Sequence, residues 1–268
     1  GFQATLTYDR DYAVKLTVDD VLEEYVQCYV KGKTLYVSLD EKSVPKDVKK
    51  LYRGRNSPSQ TLKVVIYAPS VSSITLNDES TFYSNKSIDV DNFTLQMNGS
   101  SSISNLDIEA KSAKIETFKK SSLNCHVKCD DLDLKTDGNS KLKSDFKTET
   151  LNVESSGSSE LTLSGSVSRK TALNCGNSSK LSITGSSPSL IVNGKGSSAK
   201  VDASAFPVST ADIDVTGITV VVDSSDSLKL ELGKGSSVVF SGSPVINING
   251  IQSKNQENTF IFKIIFFV

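Results

Sequence analysis

The sequence holds one histidine, one methionine and no tryptophan in 268 residues. That count excludes a histidine-rich metal centre and any tryptophan platform for stacking sugars. Neither sign of charge dominates: 30 Lys and Arg stand against 31 Asp and Glu, a formal charge of −1. General electrostatic binding of nucleic acid needs a basic excess or stripe, so no nucleic-acid partner is expected. No apolar run reaches the roughly 18 residues that cross a bilayer, so no transmembrane segment is read. Aromatic residues are only 7% and apolar residues 37% of the chain. A thin core repeated many times suits that composition better than one thick two-layer core, and the length is ample for it.

The chain opens at Gly1 with neither methionine nor signal peptide. It reads as trimmed, so the missing leader says nothing about export. Residues 260–268 are strongly apolar and too short to span a membrane. The expectation is a terminal strand that covers an exposed core end, in preference to a membrane or partner anchor. Four cysteines are present. Cys28 alternates with Val26 and Val30, Cys125 with Leu123, and Cys175 with Leu173. Each therefore reads as a small core residue, a buried free thiol, and the redox compartment stays open. Cys125, His126 and Cys129 have the look of a zinc half-site but lack the two further ligands a structural site needs, so no metal is assigned.

From about residue 70 the chain repeats itself. An apolar residue after a Ser/Gly/Asn turn recurs as Phe82, Ile103, Leu123, Leu142, Leu161, Leu181, Val201, Val220 and Val239, at spacings of 19 to 21. A second ladder runs seven to nine residues ahead of it: Ile74, Leu95, Ile115, Leu134, Val153, Leu173, Val192, Ile213 and Leu232. Within a unit the apolar residues alternate with period two, as in Leu228, Leu230 and Leu232, which is the strand period. The fixed pattern of leucine-rich repeats is missing. A unit of this length makes one coil of three short strands and three turns, and coils stack at about 4.8 Å. The fold expected is all-β: a right-handed parallel β-helix, a three-sided solenoid of about nine coils of 19–21 residues, roughly 43 Å long. It occupies residues 70–250. Roughly 40 serines fall in this stretch, far above ordinary usage. Ser121, Ser122, Ser140, Ser158, Ser159, Ser178, Ser179, Ser197, Ser198, Ser236 and Ser237 share one corner. They read as stacked hydroxyls of a tight turn, and less as a ligand-binding or glycosylated stripe.

Residues 1–69 fall outside the repeat and form a hairpin-rich β region that caps or begins the solenoid. One hairpin joins the alternating stretches 2–8 and 12–18 through Asp9, Arg10 and Asp11. A single helical turn follows, with Asp19 as its N-cap. A second hairpin pairs 25–30 with 34–39 around Lys31, Gly32 and Lys33. Residues 41–60, with Pro45, Gly54 and Pro58 among many cations, read as a long mobile loop. Tyr8, Tyr12, Tyr25, Tyr29, Tyr36 and Tyr67 could offer sugars a surface, though cross-strand packing accounts for them more simply. Residues 251–268 form the apolar tail of what is read as one continuous domain.

These elements together resemble the auto-transporter adhesin head domain, also called the head GIN domain, a family common in exported proteins of Bacteroidetes. The resemblance rests on residues 12–20, 30–37 and 62–71, on the serine-turn coils, and on the exit at 235–245. Gly250, Ile251 and Gln252 come nearest to the tripeptide of the name and depart at the third position. The resemblance implies a right-handed β-helix, export to the cell surface, outer membrane or periplasm, and an adhesive role. It supplies no binding or catalytic residues.

Parallel β-helices also carry pectin-active lyases and hydrolases, but a fold does not confer chemistry. Residues 70–250 have one arginine, Arg169, and the single histidine, His126, is not in a Gly-His-Gly setting. Asp89 with Asp91, Asp131 with Asp133, and Asp212 with Asp214 sit two apart on alternating strands and should point to water. Asp130, Asp131 and Asp133 are the best calcium candidate, with few ligands. No catalytic residue, cofactor or metal site is assigned. The reading is a non-enzymatic β-helix that presents flat ladders to a glycan or protein ligand. The rivals are a polysaccharide lyase or hydrolase, which requires a groove gathering two carboxylates with a basic residue, and a passive envelope spacer. Asp226, Ser227 and Leu228 match a Bacteroidetes O-glycosylation pattern, or else form an ordinary turn into a strand.

Overall fold

The structure is a computed structural model, and residues 1–55 and 57–251 are described. The chain winds into a parallel β-solenoid of about nine turns. Both ladders read from the sequence are physical columns. Leu123, Leu142, Leu161, Leu181 and Val201 lie in register on successive coils. So do Ile74, Leu95, Ile115, Leu134, Val153, Leu173 and Val192. Their side chains point inward and form one continuous buried core. A lone coil of this size buries nothing, so the stacking itself supplies the stability.

The last rungs depart from the expected ladders. Val220 pairs with Val238, not Val239. Leu230 pairs with Ile248 and is buried, whereas Leu232 is half-buried. The coil from Val220 to Val238 is one residue shorter than the 19-residue step assumed for it, so a fixed period overshoots there. Nor does each coil break into three short strands. The strands run continuously through Lys141–Ser155 and through the whole of Ser189–Leu232, with register shifts between Thr148 and Thr150 and between Asp202 and Ala205. The abrupt corner is the Ser/Gly turn, at residues 99–100, 119–120, 138–139 and 157–158 on successive coils.

That corner stacks residues of positive φ. Gly99, Gly138 and Gly157 have φ of 77°, 76° and 68°, and Asp78, Lys119 and Asn177 occupy the same place at 55°, 62° and 55°. The backbone N–H after each corner residue donates to the corner carbonyl below, as from Ser158 to Gly138 at 2.6 Å. A Cβ on Gly157 would lie 2.6 Å from the backbone of Gly138, which explains glycine there.

The serine column lies inside this corner. Ser101, Ser121, Ser140, Ser159 and Ser179 are fully buried, and Ala199 and Ile218 are the buried residues at the matching turn positions of the next two coils. Ser121, Ser140 and Ser159 each donate to the carbonyl three residues back. The turn reading therefore holds for Ser121, Ser140 and Ser159, whereas Ser197, Ser198 and Ser237 are exposed and Ser236 is half-buried.

The N-terminal region differs from its expectation in four places. β1 (Gln3–Tyr8) and β2 (Ala13–Val18) do not form a hairpin. β5 (Leu62–Ala68) lies between them, parallel to β1 and antiparallel to β2. β1 also pairs in parallel with Thr81–Ser84, so it is the first rung of the solenoid. Leu6, 1% exposed, enters the main core and outweighs the local turn signal at Asp9–Asp11. Asp19 precedes the 3-10 turn Asp20–Tyr25 as expected, but its carboxylate does not cap it. It accepts instead from Thr61 N–H at 3.0 Å and Tyr52 O–H at 2.9 Å. Residues 46–51 are a short helix, α1 (Lys46–Leu51), not loop. Val44 is buried and Val48 and Tyr52 pack beside it on a second small core with Phe2, Leu22, Leu62 and Val64.

The second hairpin is as expected: β3 (Val26–Lys31) pairs with β4 (Thr34–Leu39). Cys28, however, is exposed. The hairpin reaches past the small core, which Val26, Val37 and Leu39 touch while Cys28 does not. Cys125, Cys129 and Cys175 are buried free thiols. The expectation for 260–268 lies outside the described residues.

Candidate site on a polar face of the solenoid

The residues that flank the second ladder face outward by strand alternation. Two outward columns result. One runs Lys114, Asp133, Asn152 and Ala172; the other runs Glu116, Lys135, Glu154, Asn174 and Asn193. They line a shallow groove of about 460 Å³. Its floor falls at Ala172, a small residue amid longer side chains.

Charge alternates along the groove and then gives way to amides. Lys135 Nζ lies 2.8 Å from Glu154 on the next coil, and Lys114 Nζ lies 3.0 Å from Glu116. Asn152 donates to Asp133 at 2.9 Å. The hydrogen bond and charge of Glu154 hold the Lys135 ammonium above its ordinary pKa. Asn174 and Asn193 continue the column with exposed amides. The arrangement offers donors and acceptors at every rung, about 4.8 Å apart. It does gather carboxylates with basic residues, which the lyase or hydrolase reading required. Each lysine here is already engaged by a neighbouring carboxylate.

The sequence reading did not single these residues out. The signal was present: each sits one position before or after a ladder residue, as Lys114 and Glu116 flank Ile115.

The acidic pairs point outward as expected, five of the six residues exposed and Asp212 half-buried. Asp91 pairs with Lys111 at 2.8 Å and Asp212 with Lys229 at 2.9 Å. Among the described residues no group of three or more His, Cys, Asp and Glu side chains is arranged to hold a metal. His126 lies on another stretch of the coil, half-exposed, with Nδ1 2.9 Å from Asp107 and Nε2 3.2 Å from Asp145. It thereby bridges three coils, while Cys125 beside it points into the core. Ser227 is half-buried in the ladder and pairs with Val245. A second depression, about 480 Å³, is lined by Ser187, Pro207, Ser209 and Asp223 among others and has no comparable charge array.

The family described as "Putative auto-transporter adhesin, head GIN domain" matches residues 1–168 and 119–244. The chain belongs to this family. The two matched ranges overlap across coils that repeat the same pattern. No curated protein matches. Among solved structures, a "Putative lipid binding protein from Parabacteroides distasonis ATCC 8503" is similar at 14% identity and a TM-score of 0.42, covering 93% of this chain and 84% of that one. No helix among the described residues is long and apolar enough to cross a membrane.

Proposed function

We propose that this head GIN domain is a non-enzymatic β-solenoid of the cell surface or envelope that holds an extended glycan or protein ligand along the groove of Lys114 to Asn193. The observation that carries this reading is the in-register array of charged and amide side chains on successive rungs. Membership of an adhesin-head family supports the surface or envelope location. A repeat spacing of about 4.8 Å suits a chain ligand that meets each rung in turn. The carboxylates of the groove are engaged by Lys114, Lys135 and Asn152, which favours recognition over proton transfer.

The test is an array of glycans and extracellular-matrix proteins probed with the purified chain, followed by the variant Lys135→Ala, Asn174→Ala. A saturable ligand whose binding falls at least about tenfold in the variant supports the reading, since loss of two or three polar contacts costs that much. A blank array, with crosslinking to the organism's own envelope proteins, would instead favour the spacer. Release of unsaturated or reducing ends from a polyuronate would overturn the non-enzymatic part, and the carboxylates gathered in the groove make that assay worth running.

A further inference from the structure

Residues 41–55 carry six cations, Lys42, Lys46, Lys49, Lys50, Arg53 and Arg55, against Glu41 and Asp47. This surplus of four sits in a chain of formal charge −1, so the remainder is net acidic by five. All six except the half-buried Lys49 are exposed. Among the described residues the segment makes one ion pair, Lys50 to Asp47 at 3.1 Å, itself solvent-exposed. The small core fixes the segment in place through Val44, Val48 and Tyr52, so its cations are presented on a folded base.

Among the described residues, the same end carries most of the exposed apolar side chains: seven of the eleven large exposed hydrophobic residues lie in 1–69, among them Tyr12 at 77%, Val30 at 69% and Leu51 at 53%. Val30 adjoins Lys31 at the tip of the β3–β4 hairpin, and Leu51 lies between Lys50 and Arg53. A soluble polyanion would use the cations and have no place for the apolar groups. An anionic bilayer surface takes both: headgroup phosphates meet the cations while short apolar side chains enter the interface.

We propose that the N-terminal end, built from α1, its flanks and the β3–β4 hairpin, docks on an anionic lipid surface. Docking there leaves the groove free, because its first rung, at Lys114, lies beyond the coils of Ile74 and Leu95. This inference is independent of the ligand held in the groove.

The experiment is flotation of the full chain with vesicles of phosphatidylcholine alone and of phosphatidylcholine with one third phosphatidylglycerol. Binding to the anionic vesicles is expected to exceed binding to the neutral ones by about tenfold or more. It should collapse between ~0.1 M and ~1 M salt, as the screening length falls from about 10 Å to about 3 Å. The variant Lys46→Glu, Lys50→Glu, Arg53→Glu should abolish it with an unchanged circular dichroism spectrum. Leu51→Ser should weaken it a few-fold. Equal binding to both vesicle types, no binding to either, or undiminished binding by both variants would overturn the proposal. So would tight binding of dextran sulfate without vesicle binding, which would mark a site for soluble polyanions.

Discussion

Thr136 Oγ1 donates to Ser159 Oγ at 3.1 Å, joining two successive coils through the interior of their corners. Ser159 donates in turn to the Ser156 carbonyl at 2.7 Å, and Ser155 lies 3.0 Å from the same hydroxyl. The corner thus holds a small polar network inside an otherwise apolar rod. Ser159→Ala removes its centre and should cost about 1–2 kcal/mol. Ser101 stands in the same column, fully buried, with no partner for its hydroxyl. Ser101→Ala should therefore be neutral or stabilise by up to about 1 kcal/mol. Urea unfolding of the two variants separates the cases; equal losses would show that the column is packing alone.

Lys119 occupies a corner that glycine fills in the next two coils. Its φ of 62° places a Cβ in the left-handed region, at a cost of about 1 kcal/mol. Lys119→Gly should recover about that much, reduced by the greater freedom of glycine in the unfolded chain. Gly157→Ala should cost about 2 kcal/mol, because the new Cβ meets the backbone of Gly138. Thermal midpoints that move in opposite directions for the two substitutions would bear this out. A fall for both would mean that the Lys119 side chain contributes more than its backbone costs.

The solenoid was legible in the sequence because its signal is redundant. A misread coil is corrected by its neighbours, and the error in placing Val239 and Leu232 appeared only where no further coil followed to correct it. The N-terminal pairing was not legible for the converse reason. Alternation in 2–8 and 12–18 declares two strands without declaring their partners, and β5 arrives from some 45 residues later to separate them. Cys28 alternates with valines just as Cys125 alternates with Leu123. Only the tertiary position of the hairpin, past the edge of its small core, makes one exposed and the other buried. The groove residues were visible as ladder flanks, but which flanks line a depression depends on where Ala172 lowers the surface, a property of stacked coils rather than of any one coil.

Burial pushes the thiols of Cys125 and Cys175 up to about 12 from 9.0. The folded state holds these protons more tightly than the unfolded chain does. Their contribution is complete below pH 9 and is lost as the pH rises from about 9 to about 12, on the order of a few kcal/mol. Wild type should lose stability across that window more steeply than the variant Cys125→Ala, Cys175→Ala. Parallel pH profiles for the two proteins would refute the assignment. At neutral pH an alkylating agent should reach Cys28 first in the folded protein, and Cys28→Ser should remove the fast phase.

Asp19 ties the basic segment to the solenoid end, since its carboxylate accepts from both Tyr52 O–H and Thr61 N–H. These hydrogen bonds, that from Thr61 first, hold its pKa below the ordinary value of 3.8. A depressed pKa contributes stability that is present above the unfolded value and lost as pH falls through the folded one, so the clamp should release only in strong acid. Asp19→Asn keeps the shape but removes the charge that both donors favour. Asp19→Ala removes the acceptor itself. With Asp19→Ala, trypsin should cut after Arg53 or Arg55 markedly faster than in wild type, while the solenoid fragment resists. Tyr52→Phe should give a smaller acceleration, because the Thr61 bond remains. Cleavage at an unchanged rate in all three variants would show that Val44 and Val48 hold the segment by packing and that the carboxylate adds nothing to it.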